Sequence, residues 1–204
     1  MELVLVRHAE VSDEARGRCY GRFDVPLSEV GRAQCEALAA RLSTENVASV
    51  LSSPSMRARD TAEAIAQSHG LDVFVLEELS EVDFGAFEGL TYDEIAAAWP
   101  DVYAEWMARP AVVTFPGGET FADVKKRVAE AVLRLRADHD ERLVVAVTHG
   151  GVVRAVLAEA LDLPDDRVFG VAIEPASMTR VEWQDGITIV RGVNVSPQMA
   201  GVEE

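Results

Sequence analysis

The chain has 204 residues, of which 49% are hydrophobic and 26% are charged, a composition typical of an ordinary globular protein with a single domain over residues 1–204. Its 19 basic and 35 acidic residues give a net charge of -16, which argues against non-specific binding to nucleic acid or to an anionic membrane. No apolar run approaches the roughly 20 residues that span a bilayer, and no secretory signal pattern opens the chain. We therefore expect a cytoplasmic protein that binds neither nucleic acid nor membranes.

The cysteine and histidine pattern does not indicate a metal site. Cys19 and Cys35 are too far apart for a CxxC motif, and the four histidines show no finger-like or HExxH spacing. The composition is therefore typical of a reducing compartment, and we expect no structural zinc.

The first half of the chain alternates strands and helices. Apolar runs predict the strands, and apolar residues near helical spacing predict the helices. Ser53 and Pro54 are expected to open the second helix as N-cap and first helical residue, and Gly70 is expected to close it. The expected elements are strand 2–6, helix 28–42, strand 47–52, helix 53–70 and strand 73–76. This order is typical of a parallel sheet.

The second half begins with an aromatic-rich segment that breaks this alternation. Thr120 and Asp123 predict a capped helix after it, and Asp185-Gly186 predicts the turn of a hairpin. The expected elements are a helical insertion at about 83–116 over one edge of the sheet, helix 120–138, strand 143–147, helix 152–161 and hairpin strands 178–183 and 187–193. The fold class is thus α/β, a three-layer sandwich with a mostly parallel sheet, helices on both faces and a small helical insertion.

Two of the predicted buried strands end in a histidine. His8 follows the first strand beside Arg7, and His149 follows the strand 143–147. In open α/β sheets ligands bind beyond the carboxyl ends of the strands, so these histidines are candidates for one shared pocket. Gly150 and Gly151 open the next helix and would leave backbone N–H groups accessible to an anion.

Arg57 and a group of carboxylates add to this candidate site. A cation in the first turn of a helix opposes the helix dipole, so Arg57 predicts an anion opposite it. A carboxylate near these cations could donate or accept a proton. By spacing alone Glu81 is not distinguishable from the other acidic residues nearby, which are Glu77, Glu78, Asp83 and Glu88.

Four segments in order along the chain resemble the histidine phosphatase (phosphoglycerate mutase-like) superfamily. They are Arg7-His8-Ala9-Glu10, Ser53-Pro54-Ser55-Met56-Arg57-Ala58-Arg59-Asp60-Thr61-Ala62, Leu79-Ser80-Glu81 with Gly85 and Glu88-Gly89, and Thr148-His149-Gly150-Gly151. Each segment alone is weakly specific, whereas the four in this order, at strand ends and helix starts, are highly specific.

The resemblance implies a role for each matching residue. His8 would be the nucleophile that becomes phosphorylated, Glu81 the proton donor, and Arg7, Arg57 and His149 would hold the phosphoryl group. Arginines and helix N–H groups would offset the phosphoryl charge, so the resemblance implies neither a metal nor a cofactor.

The loop after the first motif indicates which branches of the superfamily the chain resembles most. Residues 17–27 look more like the α-ribazole phosphatase and broad-specificity phosphatase branches, which would place Arg18, Tyr20 and Gly21 in the pocket. An ordinary loop with turn residues is the alternative. Many members have Gly where this chain has Ala9, and mutases commonly have Asn near the position of Glu14.

The favoured function is a metal-independent phosphomonoesterase that acts through a phosphohistidine on a small anionic phosphorylated metabolite. A cofactor-dependent phosphoglycerate mutase is the nearest alternative, and a non-catalytic anion-binding module is an alternative of another class. After the predicted hairpin, residues 194–204 contain no basic residue to cover a bound diacid, which favours hydrolysis over the mutase. The sequence leaves a homodimer open.

Overall fold

A six-stranded mixed sheet forms the centre of the molecule. The computed structural model describes residues 1–139 and 142–197. The strands, in chain order, are β1 (Glu2–Arg7), β2 (Val47–Ser52), β3 (Val73–Val75), β4 (Leu143–Thr148), β5 (Met178–Gln184) and β6 (Ile187–Val195). Their order across the sheet is β3-β2-β4-β1-β5-β6, with the first four parallel and the hairpin β5–β6 antiparallel. The predicted α/β class with a mostly parallel sheet is confirmed.

Helices cover both faces of the sheet. They are α1 (Glu29–Leu42), α2 (Met56–His69), α3 (Tyr92–Ala98), α4 (Pro100–Ala108), α5 (Phe121–Asp138), α6 (Gly150–Ala160) and the short α7 (Asp165–Val168). Side chains alternate along β1, so Val4 and Val6 face the core beneath α1 and α2, whereas Leu3 and Leu5 face the core beneath α5 and α6. β1 is therefore apolar on both faces, as expected for a strand inside a parallel sheet.

Helix α2 begins later than the sequence indicates. Its first residue is Met56 and its N-cap is Ser55, so the prediction of Ser53 and Pro54 as N-cap and first helical residue is wrong. Proline disfavours the helical conformation in the residue before it, and the hydroxyl of Ser53 lies 2.7 Å from a ring nitrogen of His149. The end is as expected, since Gly70 adopts the left-handed conformation there.

The segment between β3 and α5 packs an aromatic cluster against the α5–α6 side of the sheet. Thr91 and Glu94 form a capping box that starts α3, and Pro100 starts α4. The ring of Phe87 is fully buried and lies against Trp99, Trp106 and Phe115. This segment thus adds to one of the two cores, while its assignment as an insertion over one edge of the sheet stays a prediction.

The carboxyl ends of the parallel strands lie side by side. Arg7 at the end of β1 pairs with Thr148 at the end of β4, and Ser52 at the end of β2 pairs with Val147. The residues that follow these strands therefore converge at one edge of the sheet. Among residues 1–139 and 142–197, no helix is long and apolar enough to cross a membrane.

Candidate active site

His8, Ser53 and His149 follow β1, β2 and β4 and meet at this edge of the sheet. The backbone N–H of His8 donates to the Thr148 carbonyl at 2.9 Å, so the ladder between β1 and β4 continues one step into the site. The rings of His8 and His149 have centroids 5.1 Å apart. The sheet register thus brings together two histidines that are far apart in the sequence.

The ring of His8 is held in one tautomer. Its Nδ1 lies 2.8 Å from the carbonyl oxygen of Ala9, and because a carbonyl oxygen only accepts, Nδ1 carries the proton. Nε2 then keeps its lone pair, and it forms no hydrogen bond with the described residues. Burial, together with the charges of Arg57 and Arg7, lowers the pKa of His8 well below 6.5, so the imidazole is neutral.

His149 has the opposite arrangement. Its Nδ1 lies 3.3 Å from Nη2 of Arg57, which only donates, and its Nε2 lies 2.7 Å from Oγ of Ser53. These contacts place the proton of His149 on Nε2. Burial, Arg57, His8 and Arg7 lower the pKa of His149 well below 6.5. Both histidines are therefore neutral beside guanidinium groups.

Arg57 is fully buried at the start of α2, with 0% of its surface exposed. Its Nη1 donates to the Phe23 carbonyl at 3.0 Å, its Nη2 donates to the Gly21 carbonyl, and its guanidinium carbon lies 5.1 Å from the centre of the Tyr20 ring. Burial lowers the pKa of Arg57, and the charge of Glu81 opposes that shift. Carbonyl oxygens and an imidazole nitrogen thus satisfy the terminal nitrogens of Arg57.

Arg7 provides the second guanidinium. Its Nη1 donates to the Ile173 carbonyl, while its Nε is buried and has no hydrogen-bond partner among residues 1–139 and 142–197. The Nε atom of Arg57 is likewise buried and without a partner in that part of the chain. Buried N–H groups are costly to leave unsatisfied, so two donors remain for an acceptor from outside the described chain.

The carboxylate of Glu81 lies at the first turn of α6. Its Oε1 accepts from the backbone N–H of Val82 at 2.9 Å and from that of Gly151 at 3.1 Å. The N-terminus of a helix favours an anion, and the side chain of Glu81 supplies one. The sequence predicts that the backbone N–H groups of Gly150 and Gly151 are accessible to an external anion. One of them, that of Gly151, instead donates to the carboxylate of Glu81.

The other acidic candidates have different surroundings. Glu78 pairs with Arg134 on the surface, and Glu88 accepts from the backbone N–H groups of Arg22 and Phe84. Glu77 lies with Glu81 on one cleft, next to Arg57 and His149. Only the carboxylate of Glu81 is seen to contact the start of α6 among the described residues.

The loop of residues 17–27 is only partly at the site. Gly21 and Tyr20 contact Arg57, whereas Arg18 donates to the Gly89 carbonyl at 2.8 Å on the exposed surface. The structure thus brings Arg7, His8, Arg57, Glu81 and His149 together with Tyr20 and Gly21, while the side-chain hydrogen bond seen for Arg18 among the described residues is with Gly89.

Sequence reasoning did not identify three further residues of the cleft. Ser53 contacts His149, Ser55 lies 3.4 Å from the same ring nitrogen, and Nε of Arg22 lies 3.4 Å from the Glu81 carbonyl oxygen. The position of Ser53 after a predicted strand indicates this location, because the other strand ends carry the histidines. No group of three or more residues suited to holding a metal ion occurs in the described part of the chain.

Known proteins with similar sequences and folds include phosphatases. A phosphoserine phosphatase of Hydrogenobacter thermophilus is 31% identical over 196 residues, which are 96% of this chain and 93% of that protein. A solved mycobacterial glucosyl-3-phosphoglycerate phosphatase matches with a TM-score of 0.86 and 31% identity, over 96% of this chain and 99% of that one. A putative α-ribazole-5′-phosphate phosphatase of Escherichia coli matches with a TM-score of 0.88 and 25% identity, over 100% and 99% of the two chains.

Other relatives are longer. The chain spans about half the length, 53%, of a bifunctional protein of Mycobacterium tuberculosis, to which it is 37% identical over 194 residues. The sequence model of the histidine phosphatase superfamily, branch 1, matches residues 3–196, nearly the whole chain. This match confirms the resemblance found in the motifs at the strand ends. The chain belongs to branch 1 of the histidine phosphatase superfamily.

Proposed function

We propose that the chain is a phosphomonoesterase that hydrolyses a small anionic phosphorylated metabolite through a phosphohistidine at His8. The observation that carries the proposal is the tautomer of His8, whose Nδ1–H is bound to Ala9 and whose Nε2 keeps its lone pair beside Arg7 and Arg57. The phosphatase names of the similar proteins support hydrolysis. The identity of the metabolite is left open.

In the first step, Nε2 of His8 attacks the phosphorus atom. The N–P bond forms as the bond from phosphorus to the leaving oxygen breaks, and charge spreads over the three remaining phosphoryl oxygens. Arg7 and Arg57 each have an unsatisfied Nε–H and would offset that charge. The Nε2–H of His149, which donates to Oγ of Ser53 in this structure, would join them by exchanging that contact for a phosphoryl oxygen. A neutral His8 is required for the attack, and the neighbouring guanidinium groups keep it neutral.

Glu81 completes both steps as the proton donor and acceptor. It gives a proton to the leaving oxygen, which departs as an alcohol. Water then attacks phosphorus while Glu81 takes a proton from it, the N–P bond breaks, and inorganic phosphate leaves with His8 restored. Because its carboxylate contacts the first turn of α6, Glu81 is held close to His149, the N-cap of that helix.

Trapping the intermediate tests the proposal. With a ³²P-labelled aryl phosphate and an alkaline quench, which preserves phosphohistidine, label should appear on the peptide that contains His8. His8→Asn should remove the label and lower kcat by at least about 1000-fold. His69→Asn, the same substitution at the end of α2, is the matched control. Full activity of His8→Asn, or label elsewhere, would disprove the mechanism.

The mutase alternative makes a different prediction in the same preparation. Hydrolysis requires that phosphate release from 2- or 3-phosphoglycerate exceeds their interconversion, also after priming with bisphosphoglycerate. The lack of basic residues at positions 194–204, which favours hydrolysis, concerns a segment that is described only as far as residue 197. Interconversion that exceeds release by orders of magnitude would favour the mutase.

The non-catalytic alternative is less well supported by the geometry. Binding an anion requires the arginines, but it requires neither a neutral His8 with a free Nε2 nor a carboxylate at the same cleft. An anion-binding module would show tight phosphate binding and no turnover with any phosphate ester. The cytoplasmic location and a homodimer stay predictions.

A further inference from the structure

A second cavity adjoins the carboxylate of Glu81 on the side away from His149. It has a volume of about 230 Å³, and its walls are largely aromatic. The residues that line it include Phe84, Trp106, Phe115, Phe121, Phe169 and Arg154. For scale, an apolar cavity of about 150 Å³ holds a benzene molecule. The cavity therefore accommodates a ring-sized organic group next to Glu81.

Arg154 is the charged group in this aromatic wall. It lies on α6, its guanidinium carbon is 5.7 Å from the centre of the Phe169 ring, and its Nη2 donates to the Val171 carbonyl at 3.1 Å. Its Nε is buried and has no partner among residues 1–139 and 142–197. Burial lowers the pKa of Arg154, and the charge of Glu81 opposes that shift. The cation is thus partly desolvated, and its Nε–H lacks an acceptor among the described residues.

Buried and half-buried arginines of this chain differ in whether a carboxylate pairs with them. Among the described residues, Arg127 pairs with Glu119, and Arg180 pairs with two glutamates. The remaining buried or half-buried arginines are Arg7, Arg57 and Arg154, and none of them forms an ion pair with a described carboxylate. A desolvated cation is costly unless it is paired, and this chain is rich in acidic residues that could have paired it.

Arg7 and Arg57 lie where the proposed mechanism puts the phosphoryl group, whereas Arg154 lies in the other cavity. Glu81 borders both spaces, and its proton must reach the oxygen that joins phosphorus to the leaving group. The aromatic cavity is thus a space into which a leaving group that receives this proton has room to extend, towards Arg154. A single guanidinium offsets a single negative charge, and a planar carboxylate matches its geometry.

We propose that Arg154 binds a carboxylate on the leaving group, so that the preferred substrates are phosphate monoesters of compact, partly apolar alcohols or phenols that carry one carboxylate. This inference rests on the proposed phosphatase function and extends it to a specificity-determining residue. The aromatic rings of Phe84, Trp106 and Phe115 contact the apolar part, while Arg154 selects for the charge.

Two matched substrates test the proposal. 3-Carboxyphenyl phosphate and 3-carbamoylphenyl phosphate have nearly the same shape and differ by one negative charge. We expect Arg154→Met to lower the ratio of their kcat/KM values by about 10- to 100-fold, which is the contribution of a charge-assisted hydrogen bond. In this variant kcat/KM for the carbamoyl ester, which has no negative charge to pair, should fall by a smaller factor than kcat/KM for the carboxyl ester. Arg154→Lys keeps the charge and should retain part of the preference.

Arg136→Met, on the exposed side of α5, is the matched control and should leave the ratio unchanged. An unchanged ratio in Arg154→Met would overturn the inference while hydrolysis of both esters upheld the proposed function. An equal loss on both esters with a lower melting temperature would also overturn it, by making Arg154 a structural residue. No phosphate release from either ester by the wild-type protein would instead contradict the proposed function.

Discussion

At the scale of single residues, the site depends on which nitrogen atoms carry protons. His8 donates from Nδ1 to a backbone carbonyl, whereas His149 accepts at Nδ1 from Arg57. The two imidazoles therefore present different groups, a lone pair on His8 Nε2 and an N–H on His149 Nε2. The contacts of the other ring nitrogen thus make one imidazole a hydrogen-bond donor at Nε2 and leave the other with the free lone pair that the proposed nucleophile needs.

Because the site holds both imidazoles neutral, stability should fall in mild acid. The folded pKa of each histidine is well below the ordinary 6.5, so below that pH the unfolded chain binds protons that the folded chain does not. Their stabilising effect is complete above about pH 6.5 and is lost as the pH falls towards the folded pKa. His8→Asn or His149→Asn should reduce the slope of unfolding free energy against pH by about 1.4 kcal/mol per unit. Urea unfolding from pH 7.5 to 5 measures it, and parallel curves for variant and wild type would contradict the prediction.

Arg57 links the catalytic edge to the loop of residues 21–23. The planar guanidinium of Arg57 contacts three acceptors, the carbonyl oxygens of Gly21 and Phe23 and a ring nitrogen of His149. Arg57→Lys keeps the charge, but an ammonium group cannot replace all three contacts. We expect a large fall in kcat/KM and a loss of about 1–3 kcal/mol of unfolding free energy. Arg59→Lys, an exposed position two residues later, is the control and should change neither quantity. A wild-type kcat/KM in Arg57→Lys would show that the guanidinium of Arg57 is not needed for catalysis.

At the scale of elements, α6 connects the second histidine to Glu81, the proposed proton donor. His149 is its N-cap, and the N–H of Gly151 in its first turn binds Glu81. A Cβ at Gly151 would lie 2.4 Å from Oε1 of Glu81 and 2.7 Å from Cγ2 of Val82, closer than real contacts allow. The backbone of Gly151 is not in the left-handed region, so the effect of a Cβ here would be to displace the side chains of Glu81 and Val82.

Gly151→Ala should displace the carboxylate of Glu81 without weakening α6, because alanine is the better helix former. A displaced proton donor matters most when the leaving oxygen is strongly basic. We expect kcat/KM for an alkyl phosphate to fall by at least about 10-fold more than kcat/KM for 4-nitrophenyl phosphate, whose leaving group needs little protonation. Equal effects on the two substrates would mean that Glu81 is not the proton donor.

The sequence predicts the elements better than the contacts between them. Strands β1, β2 and β4 follow from their apolar runs, and α5 follows from its periodicity and capping pair. The start of α2 is mispredicted because Ser53 bonds to His149, 96 residues away, and no local pattern carries that contact. Spacing does not distinguish Glu81 from its acidic neighbours for the same reason, since what distinguishes it is its contact with Gly151, 70 residues later.

At the scale of the whole molecule, positive charge at the site comes from arginines in an acidic protein. In a chain of net charge -16, Arg7 and Arg57 lie beside two neutral histidines. These guanidinium groups can offset the charge of a phosphoryl group without a cation from solution. In the proposed mechanism, side chains therefore supply the electrostatic stabilisation of the phosphoryl group.

The rate should accordingly be independent of divalent metal ions. We expect dialysis against EDTA to leave kcat and KM for an aryl phosphate unchanged, and added Mg²⁺, Mn²⁺ or Zn²⁺ not to raise kcat. A parallel sample treated with Mg²⁺-EDTA controls for binding of the chelator itself to the cationic cleft. Inhibition by EDTA that a divalent ion reverses would reveal a metal site that the described residues do not show.

The position of β1 in the sheet has a consequence for how the chain is made. β1 lies between β4 and β5, whose residues fall between 143 and 184, so neither neighbour exists while most of the chain is being synthesised. Until then β1 is an apolar strand with two unpaired edges, the kind of segment that associates with other chains. The same pairing joins His8 to His149, so a nascent chain acquires its catalytic edge only when its aggregation-prone strand is covered. A fragment that stops before residue 143 should therefore precipitate, and should not accumulate as a smaller folded unit.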